Sequence, residues 1–233
     1  MIKSYTKESN CSYTEGFFPT FEMLYFQRNH FRLLYVASDA VESEGFRKLR
    51  SEVPAEKIIV SDKAFLKVGS KENAHVLGVF EKYAMKLDPK ENHLVLVNPS
   101  DMGNLGNAMR TLLAFGYHDL AIIQPCADPF HPKTVRASMG ALFKIRWEEF
   151  RSFDEYLSTY PRDYYPFVLA KSTPLSQVHF KTPCSLVFGN EATGLPESIM
   201  NENDVRIEQS DEVDSLNLTT SIAVGLYTAK MQR

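Results

Sequence analysis

Three short stretches of the chain carry polar side chains in the segment that follows a predicted strand. They are Asn104 and Arg110 after residues 94–97, Glu191 after residues 186–188, and Ser215 and Asn217 after residues 205–207. Amide, guanidinium, carboxylate and hydroxyl groups are hydrogen-bonding groups suited to fixing a polar ligand. In open α/β sheets, ligands bind at the carboxyl ends of the strands. The residue types therefore indicate a ligand site at one edge of a sheet.

The first stretch contains two glycines, Gly103 and Gly106, which suggest a phosphate-binding turn. It lacks the Gly-Lys-Ser/Thr ending of a P-loop, and its spacing is not the Gly-x-Gly-x-x-Gly of dinucleotide-binding proteins. A nucleoside triphosphate site and an NAD site are both disfavoured. Two purely structural interpretations stay open, namely Asn104 as a helix N-cap and Arg110 as a solvated surface charge.

Small residues characterise the second and third stretches. Gly189 ends its apolar run, so a ligand can approach the backbone there, while Glu191 is open to a helix-dipole or capping role. The terminal helix carries small side chains over residues 219–225, which allow another chain segment to approach closely. Ser215 is also a good N-cap for that helix.

Strands and helices alternate from residue 93 onwards. The apolar runs predict strands at Leu94–Val97, Leu120–Ile123, Leu142–Ile145, Phe167–Ala170, Leu186–Phe188 and Val205–Ile207. Helical spacing is clearest at Leu105–Phe115, closed by Gly116, and at Leu216–Lys230. This alternation predicts an α/β fold with a parallel sheet and helices on both faces.

The N-terminal part has a different organisation. Residues 1–19 show no period and are predicted to form a flexible arm. Residues 20–85 alternate short helical and strand patterns, which indicates a small αβ domain. A polar segment containing Pro89 is the predicted linker to a larger domain over residues 92–233.

Composition narrows the class of protein. The 233 residues are 44% hydrophobic and 24% charged, as expected for a globular protein, and a net charge of −3 disfavours indiscriminate coating of nucleic acid. No apolar run approaches a membrane span and the N-terminus lacks a secretory pattern, so we expect a cytoplasmic protein. Three widely spaced cysteines indicate reduced thiols and no zinc site.

Taken together and in order, the three polar stretches are far more specific than any one of them. Asn-x-Gly-x-x-x-Arg, Gly-x-Glu-x-x-Gly-Leu and Ser-Leu-Asn resemble the three motifs of SpoU-type (TrmH-like) RNA 2'-O-ribose methyltransferases of the SPOUT class. The resemblance covers about residues 92–231 and includes an Arg-Ala-Ser-Met-Gly-Ala segment at 136–141. Residues 21–82 are similar, more loosely, to the small RNA-binding domain that precedes the catalytic domain in many members.

The resemblance implies a C-terminal trefoil knot, one of the rare exceptions to unknotted topology, and a homodimer with the site near its interface. By position, backbone groups of Gly189, Ile207 and Leu216 would hold S-adenosylmethionine, with Ala170 and Gln209 completing the pocket. No metal is implied. The chain has Ile207-Glu-Gln where the family commonly has Ile-Pro-Met, and Asn190 is a conservative variation in the second motif.

The same resemblance implies catalytic roles for five polar residues. Arg110 matches the family's catalytic arginine, which acts with an RNA phosphate in activating the ribose hydroxyl; because a guanidinium stays protonated, we assign it phosphate anchoring and charge stabilisation. Asn104 would hydrogen-bond the ribose or phosphate. Glu191, Ser215 and Asn217 would orient Arg110, the substrate and the motif loops.

The sequence therefore predicts an enzyme that transfers a methyl group from S-adenosylmethionine to a ribose 2'-hydroxyl of ribosomal or transfer RNA. The alternative is a catalytically inactive RNA-binding member of the same fold, since fold alone does not imply activity. Retention of the whole polar set disfavours that alternative. A dinucleotide-dependent enzyme lacks its glycine fingerprint.

Overall fold

The computed structural model describes residues 2–68, 74–169, 172–210 and 212–232. The chain divides into two compact units. The first unit comprises the chain up to Tyr83 together with Asp128–Lys144, and the second comprises Ala84–Ala127 and the chain from Ile145 onwards. Within the described ranges, no helix is long and apolar enough to cross a membrane.

A four-stranded sheet with helices forms most of the first unit. Its N-terminal elements are β1 (Cys11–Glu15), α1 (Phe17–Phe26), β2 (Phe31–Val36), α2 (Glu44–Glu52), β3 (Ile58–Val60), α3 (Asp62–Val68) and β4 (Val76–Glu81). The strand order is β1-β4-β2-β3, with β1 and β2 antiparallel to β4 and β3 parallel to β2.

The chain then enters the second unit with β5 (His93–Val97), α4 (Met102–Ala114) and β6 (Asp119–Ile123), and returns to the first unit as α5 (Pro132–Ala137). The remaining elements all belong to the second unit; they are β7 (Arg146–Phe150), α6 (Phe153–Thr159), β8 (Asp163–Pro166), β9 (Thr173–Pro174), β10 (Cys184–Phe188), β11 (Val205–Arg206) and α7 (Leu218–Met231).

The main sheet of the second unit is parallel, in the order β7-β6-β5-β10-β8. Every residue of β5, β6 and β10 is buried, which is why each strand carries consecutive apolar residues instead of alternating ones. Val95 and Val187 pack with Phe153 and Tyr156 of α6 on one face. Helices α4 and α7 pack against each other, and α7 also contacts β10. The predicted α/β fold with a parallel sheet is confirmed.

Two predictions about the N-terminal part differ from the structure. Residues 11–15, placed in a flexible arm, form β1, where Ser12, Tyr13 and Thr14 are buried and paired with β4. Residues 128–144, assigned to the larger domain, belong to the first unit, where Phe143 packs edge-on against Phe80 with ring centroids 5.2 Å apart. Both differences depend on partners distant in sequence, which local patterns do not record.

Three strand predictions were also wrong in extent or type. Residues 142–145 were expected to form a strand, but Ala141–Phe143 is a 3-10 helix and the strand is β7. Of the strand predicted at 167–170, Phe167 makes only an isolated bridge to Val205, and Ala170 lies outside the described residues. Val205 and Arg206 form β11, which pairs with β9 in a separate two-stranded sheet.

Candidate active site

A cavity of about 600 Å³ opens beyond the carboxyl end of β10 in the second unit. It gathers residues from all three polar stretches and from the segment after β8. Eight of the ten predicted site residues line it, namely Asn104, Gly189, Glu191, Ile207, Gln209, Ser215, Leu216 and Asn217. Arg110 does not line it, and Ala170 lies outside the described residues.

Asn104 and Glu191 form the polar link between the first two stretches. Asp101 is the N-cap of α4 and its Oδ1 accepts a hydrogen bond from the Asn104 backbone N–H at 2.8 Å. The capping interpretation of Asn104 is therefore wrong, and its side chain is available for another contact. Asn104 Nδ2 donates to Glu191 Oε1 at 2.9 Å, while Ser100 Oγ donates to Glu191 Oε2 at 3.4 Å.

Asn190 shapes the loop that carries Glu191. Its Nδ2 donates to the Asn98 carbonyl at 2.8 Å, and its Oδ1 accepts from the backbone N–H groups of Ala192 and Thr193 at 2.9 and 3.2 Å. Backbone hydrogen bonds in both directions join Asn190 to Gly194. No site role was predicted for Asn190, although an asparagine in a glycine-containing turn is typical of a loop that is stabilised by its own side chain.

Gly189 permits the loop to close. A Cβ atom placed on Gly189 would lie 2.3 Å from the carbonyl carbon of Gly194 and 2.5 Å from the nitrogen of Leu195. We expected this glycine to leave room for a ligand. It does border the cavity, but the space beside its Cα is occupied by the protein's own backbone.

The third stretch ends in a helix cap. Asn217 is the N-cap of α7, and its Oδ1 accepts from the Thr219 backbone N–H at 2.9 Å and from Thr219 Oγ1 at 2.6 Å. The alternative in which Ser215 caps this helix is therefore wrong. Ser215 is exposed at the cavity. Helix α7 begins at Leu218, two residues later than predicted, because the cap lies at Asn217.

The departure at residues 207–209 has a defined conformation. Gln209 Nε2 donates to the carbonyls of Val213 and Asp214 at 3.5 and 3.4 Å. Glu208 accepts hydrogen bonds from the Ser176 hydroxyl and backbone N–H, and the hydroxyl bond chiefly lowers the pKa of the Glu208 carboxyl. Ile207 and Gln209 thus line the cavity, whereas Glu208 is bonded to Ser176 and does not line it.

A pair of phenylalanines forms one apolar wall. The rings of Phe167 and Phe188 stack with centroids 4.3 Å apart and planes 19° from parallel. A Cβ on Gly225 of α7 would lie 2.8 Å from the Phe167 ring and 3.0 Å from the Phe188 ring. The small residues of α7 therefore allow the close approach that the sequence predicts.

Arg110 lies apart from the linked residues. It is exposed on α4, six residues after Asn104, and six residues of helix advance about 9 Å along the axis. Among the described residues it has no hydrogen bond or ion pair. Glu191 contacts Asn104 and Ser100, so within one chain Glu191 does not orient Arg110.

The second unit is thus an α/β domain with a ligand-sized cavity at the carboxyl edge of its parallel sheet. The model of the SpoU rRNA Methylase family matches residues 91–227, so the chain belongs to that family.

Relatives and solved structures extend this result. An uncharacterized tRNA/rRNA methyltransferase from Synechocystis sp. is 29% identical over 145 residues, which are 60% of this chain and 53% of that protein. The chain thus spans about half the length of that relative. The SpoU methyltransferase AviRb from Streptomyces viridochromogenes, in complex with AdoMet, shares the fold with a TM-score of 0.86 at 23% identity, covering 96% of this chain and 90% of that one. Another similar structure comes from work on the 2-OH methylation of C/U34 on tRNA. Its sequence is 31% identical, with a TM-score of 0.58, and the match covers 62% of this chain and 97% of that one.

Proposed function

We propose that this protein transfers the methyl group of S-adenosylmethionine to a ribose 2'-hydroxyl of ribosomal or transfer RNA. The observation that carries the proposal is the cavity in which all three family motifs meet, with Asn104 bonded to Glu191 and with Asn217 at its rim. Its support from relatives is the family match over residues 91–227 and the methyltransferase activity named for similar proteins.

The residues present fit this cofactor. A volume of about 600 Å³ lies within the range of roughly 300–1,000 Å³ for small-molecule sites. Phe188 and Leu216 offer apolar surface to an adenine ring, and the charged side chains that line the cavity in the described chain are the carboxylates of Glu191 and Asp214. Backbone groups of Gly189, Ile207 and Leu216, with Gln209, would hold the cofactor.

When bound, the cofactor supplies an electrophilic methyl group on a good leaving group. The hydroxyl oxygen forms the new O–C bond, the C–S electron pair stays on sulfur, and the hydroxyl proton is lost to solvent. The protein must therefore mainly align the reactants and stabilise charge. Asn104 and Ser215 contribute hydrogen-bonding groups at the cavity, and Arg110 anchors an RNA phosphate.

We further propose the knot and the homodimer. Strand β11 runs beside the segment after β8, where the Val168 N–H donates to the Val205 carbonyl at 2.9 Å, and the segments that follow β8 and β11 line the same cavity, as a threaded C-terminus requires. Helix α7 leaves Tyr227 53% and Met231 67% exposed, an apolar surface suited to a second copy. Arg110 is exposed and does not line the cavity of its own chain. In a dimer with the site near the interface, Arg110 of one copy would reach the cavity of the other.

We assign RNA binding to residues 20–85, which belong to the first unit as far as Tyr83. This assignment rests on the looser similarity to the small domain that precedes the catalytic domain in the family, and the mixed sheet of β1–β4 supports it as a separately organised structure.

The test is calorimetric titration of S-adenosylmethionine into the full-length protein, followed by methylation of ribosomal and transfer RNA pools. We expect saturable binding, and we expect Arg110→Ala to remove most turnover while leaving cofactor affinity nearly unchanged, because Arg110 does not line the cavity. Unchanged turnover in Arg110→Ala would contradict its catalytic role. Failure of the folded wild-type protein to bind the cofactor would favour the inactive RNA-binding alternative.

A further inference from the structure

The cavity has an unusual charge distribution for a site beside an anionic substrate. Among the side chains lining it in the described chain, two are charged, Glu191 and Asp214, and both are acidic; no lysine, arginine or histidine is among them. A ligand held there faces two carboxylates and, within the described residues, no lining cation.

The two carboxylates differ in how they are engaged. Glu191 accepts hydrogen bonds from Asn104 and Ser100, so its oxygens already have partners. Asp214 is exposed, and within the described ranges no hydrogen bond or ion pair engages its carboxylate. Its backbone is nonetheless anchored, because its carbonyl accepts from Gln209 Nε2 at 3.4 Å. Asp214 therefore lies at the cavity with a carboxylate that no described group neutralises.

We propose that Asp214 is a specificity-determining residue that favours the positively charged cofactor over its demethylated product. This inference rests on the proposed function. S-adenosylmethionine carries a sulfonium, an ammonium and a carboxylate, and hence a net charge of +1. Once the methyl group has left, the sulfur is a neutral thioether and the product has no net charge. The product keeps the ammonium and the carboxylate, so the sulfonium is the charge that separates the two ligands.

Coulombic attraction acts at several ångströms and does not require direct contact. The Asp214 carboxylate therefore strengthens binding of the substrate form and gives the uncharged thioether of the product no matching gain. Exchange of product for fresh cofactor becomes more favourable with no separate conformational switch. A carboxylate that instead paired with the shared ammonium group would strengthen both ligands equally, and this difference makes the inference testable.

The experiment titrates S-adenosylmethionine and S-adenosylhomocysteine separately into wild-type protein, Asp214→Asn and Asp214→Glu. The matched control is Glu212→Gln, which removes an exposed acid from the same loop that does not line the cavity. We expect Asp214→Asn to lower the ratio of the two affinities by roughly fivefold, mostly through the charged ligand, at low ionic strength. Asp214→Glu should restore the ratio, and Glu212→Gln should leave it unchanged.

Each other outcome has a distinct meaning. Equal weakening of both ligands by Asp214→Asn, or an unchanged ratio in a variant whose melting temperature equals that of the wild type, would overturn the selective role of Asp214 while leaving the proposed function intact. Wild-type protein that binds neither ligand would overturn the proposed cofactor, and this inference with it.

Discussion

Replacing Gly189 with alanine tests whether the cavity depends on closure of the loop over residues 190–194. The backbone of Gly189 is not left-handed, so alanine is compatible with its conformation and only the added Cβ opposes the change. That atom would lie 2.3 Å from the Gly194 carbonyl carbon, whereas ordinary contacts begin at 3.4 Å. The obstacle is backbone, so the loop must move by about 1 Å.

The magnitude follows from the size of this overlap. Inserting a methyl group into a well-packed site costs about 1–3 kcal/mol. If the displaced loop must be restored for the ligand to bind, that cost appears in binding, where every 1.4 kcal/mol is about tenfold. We therefore expect Gly189→Ala to weaken binding of S-adenosylmethionine by between about fivefold and 150-fold. Any part of the free-energy cost that does not appear in binding should lower the melting temperature of the variant.

Calorimetric titration and thermal unfolding of the same samples measure both parts. Gly116→Ala is the control, because Gly116 lies far along the chain from the loop. Gly116 has φ +79° and open space around its Cα, so alanine strains the backbone there without a steric clash. We expect this control to lose stability and keep cofactor affinity. Wild-type affinity and wild-type stability in Gly189→Ala would refute the reasoning.

Two further predictions concern the buried polar groups of the second unit. Desolvation lowers the pKa of His93 to about 4 from an ordinary 6.5. Between these pH values the unfolded chain binds a proton that the folded chain does not, so the free energy of unfolding falls as the pH drops through that window, by up to about 3 kcal/mol. His93→Gln should flatten this part of the pH dependence of urea unfolding, and a pH profile identical to that of the wild type would contradict the assignment. Asp119 is fully buried and accepts from Arg146 Nε at 2.7 Å and from the Asp88 backbone N–H at 2.8 Å. Because the backbone hydrogen bond remains and Arg146 is partly exposed, Arg146→Met should cost about 1–3 kcal/mol in the same assay, and unchanged stability would contradict that role.

The tautomer of His93 follows from its contacts and explains why protonation is unfavourable. Its Nε2 lies 2.8 Å from the Asp88 carbonyl, which can only accept, so Nε2 carries the hydrogen. Its Nδ1 then accepts from the Tyr156 hydroxyl at 2.9 Å, and Ser185 Oγ in turn lies 2.6 Å from that hydroxyl. A second proton on the ring, at Nδ1, would remove the acceptor of the hydrogen bond from the Tyr156 hydroxyl.

Where burial is continuous, the sequence was sufficient to predict the fold. Strands β5, β6 and β10 are buried on both faces, so their apolar runs are unmistakable. The end of α4 was also predicted, because Gly116 adopts φ +79° and its N–H bonds to the Leu113 carbonyl at 3.0 Å. By contrast β7 lies at the sheet edge and contains Arg146, Glu148 and Glu149, which dilute its apolar signal below that of the neighbouring 3-10 helix.

The sequence predicts which residues line the cavity better than it predicts the contacts between them. Sequence motifs identify which residues gather at the cavity, since they mark the ends of strands in one sheet. They do not specify which side chains bond to each other. Only the structure shows that Glu191 accepts from Asn104, that Asn190 shapes its loop and that the Asp214 carboxylate lies at the cavity without a described partner. The exposed position of Arg110 likewise depends on the helix it occupies.

The return of the chain to the first unit at residues 128–144 has a consequence for synthesis on the ribosome. The core of the first unit includes Phe143, which packs on Phe80, so this unit is incomplete when Tyr83 is made and must wait for the next 61 residues, Ala84–Lys144. At about 5–20 residues per second the delay is roughly 3–12 s. A nascent chain would thus carry an unfinished apolar core during that interval, and a fragment ending near residue 85 would keep it permanently.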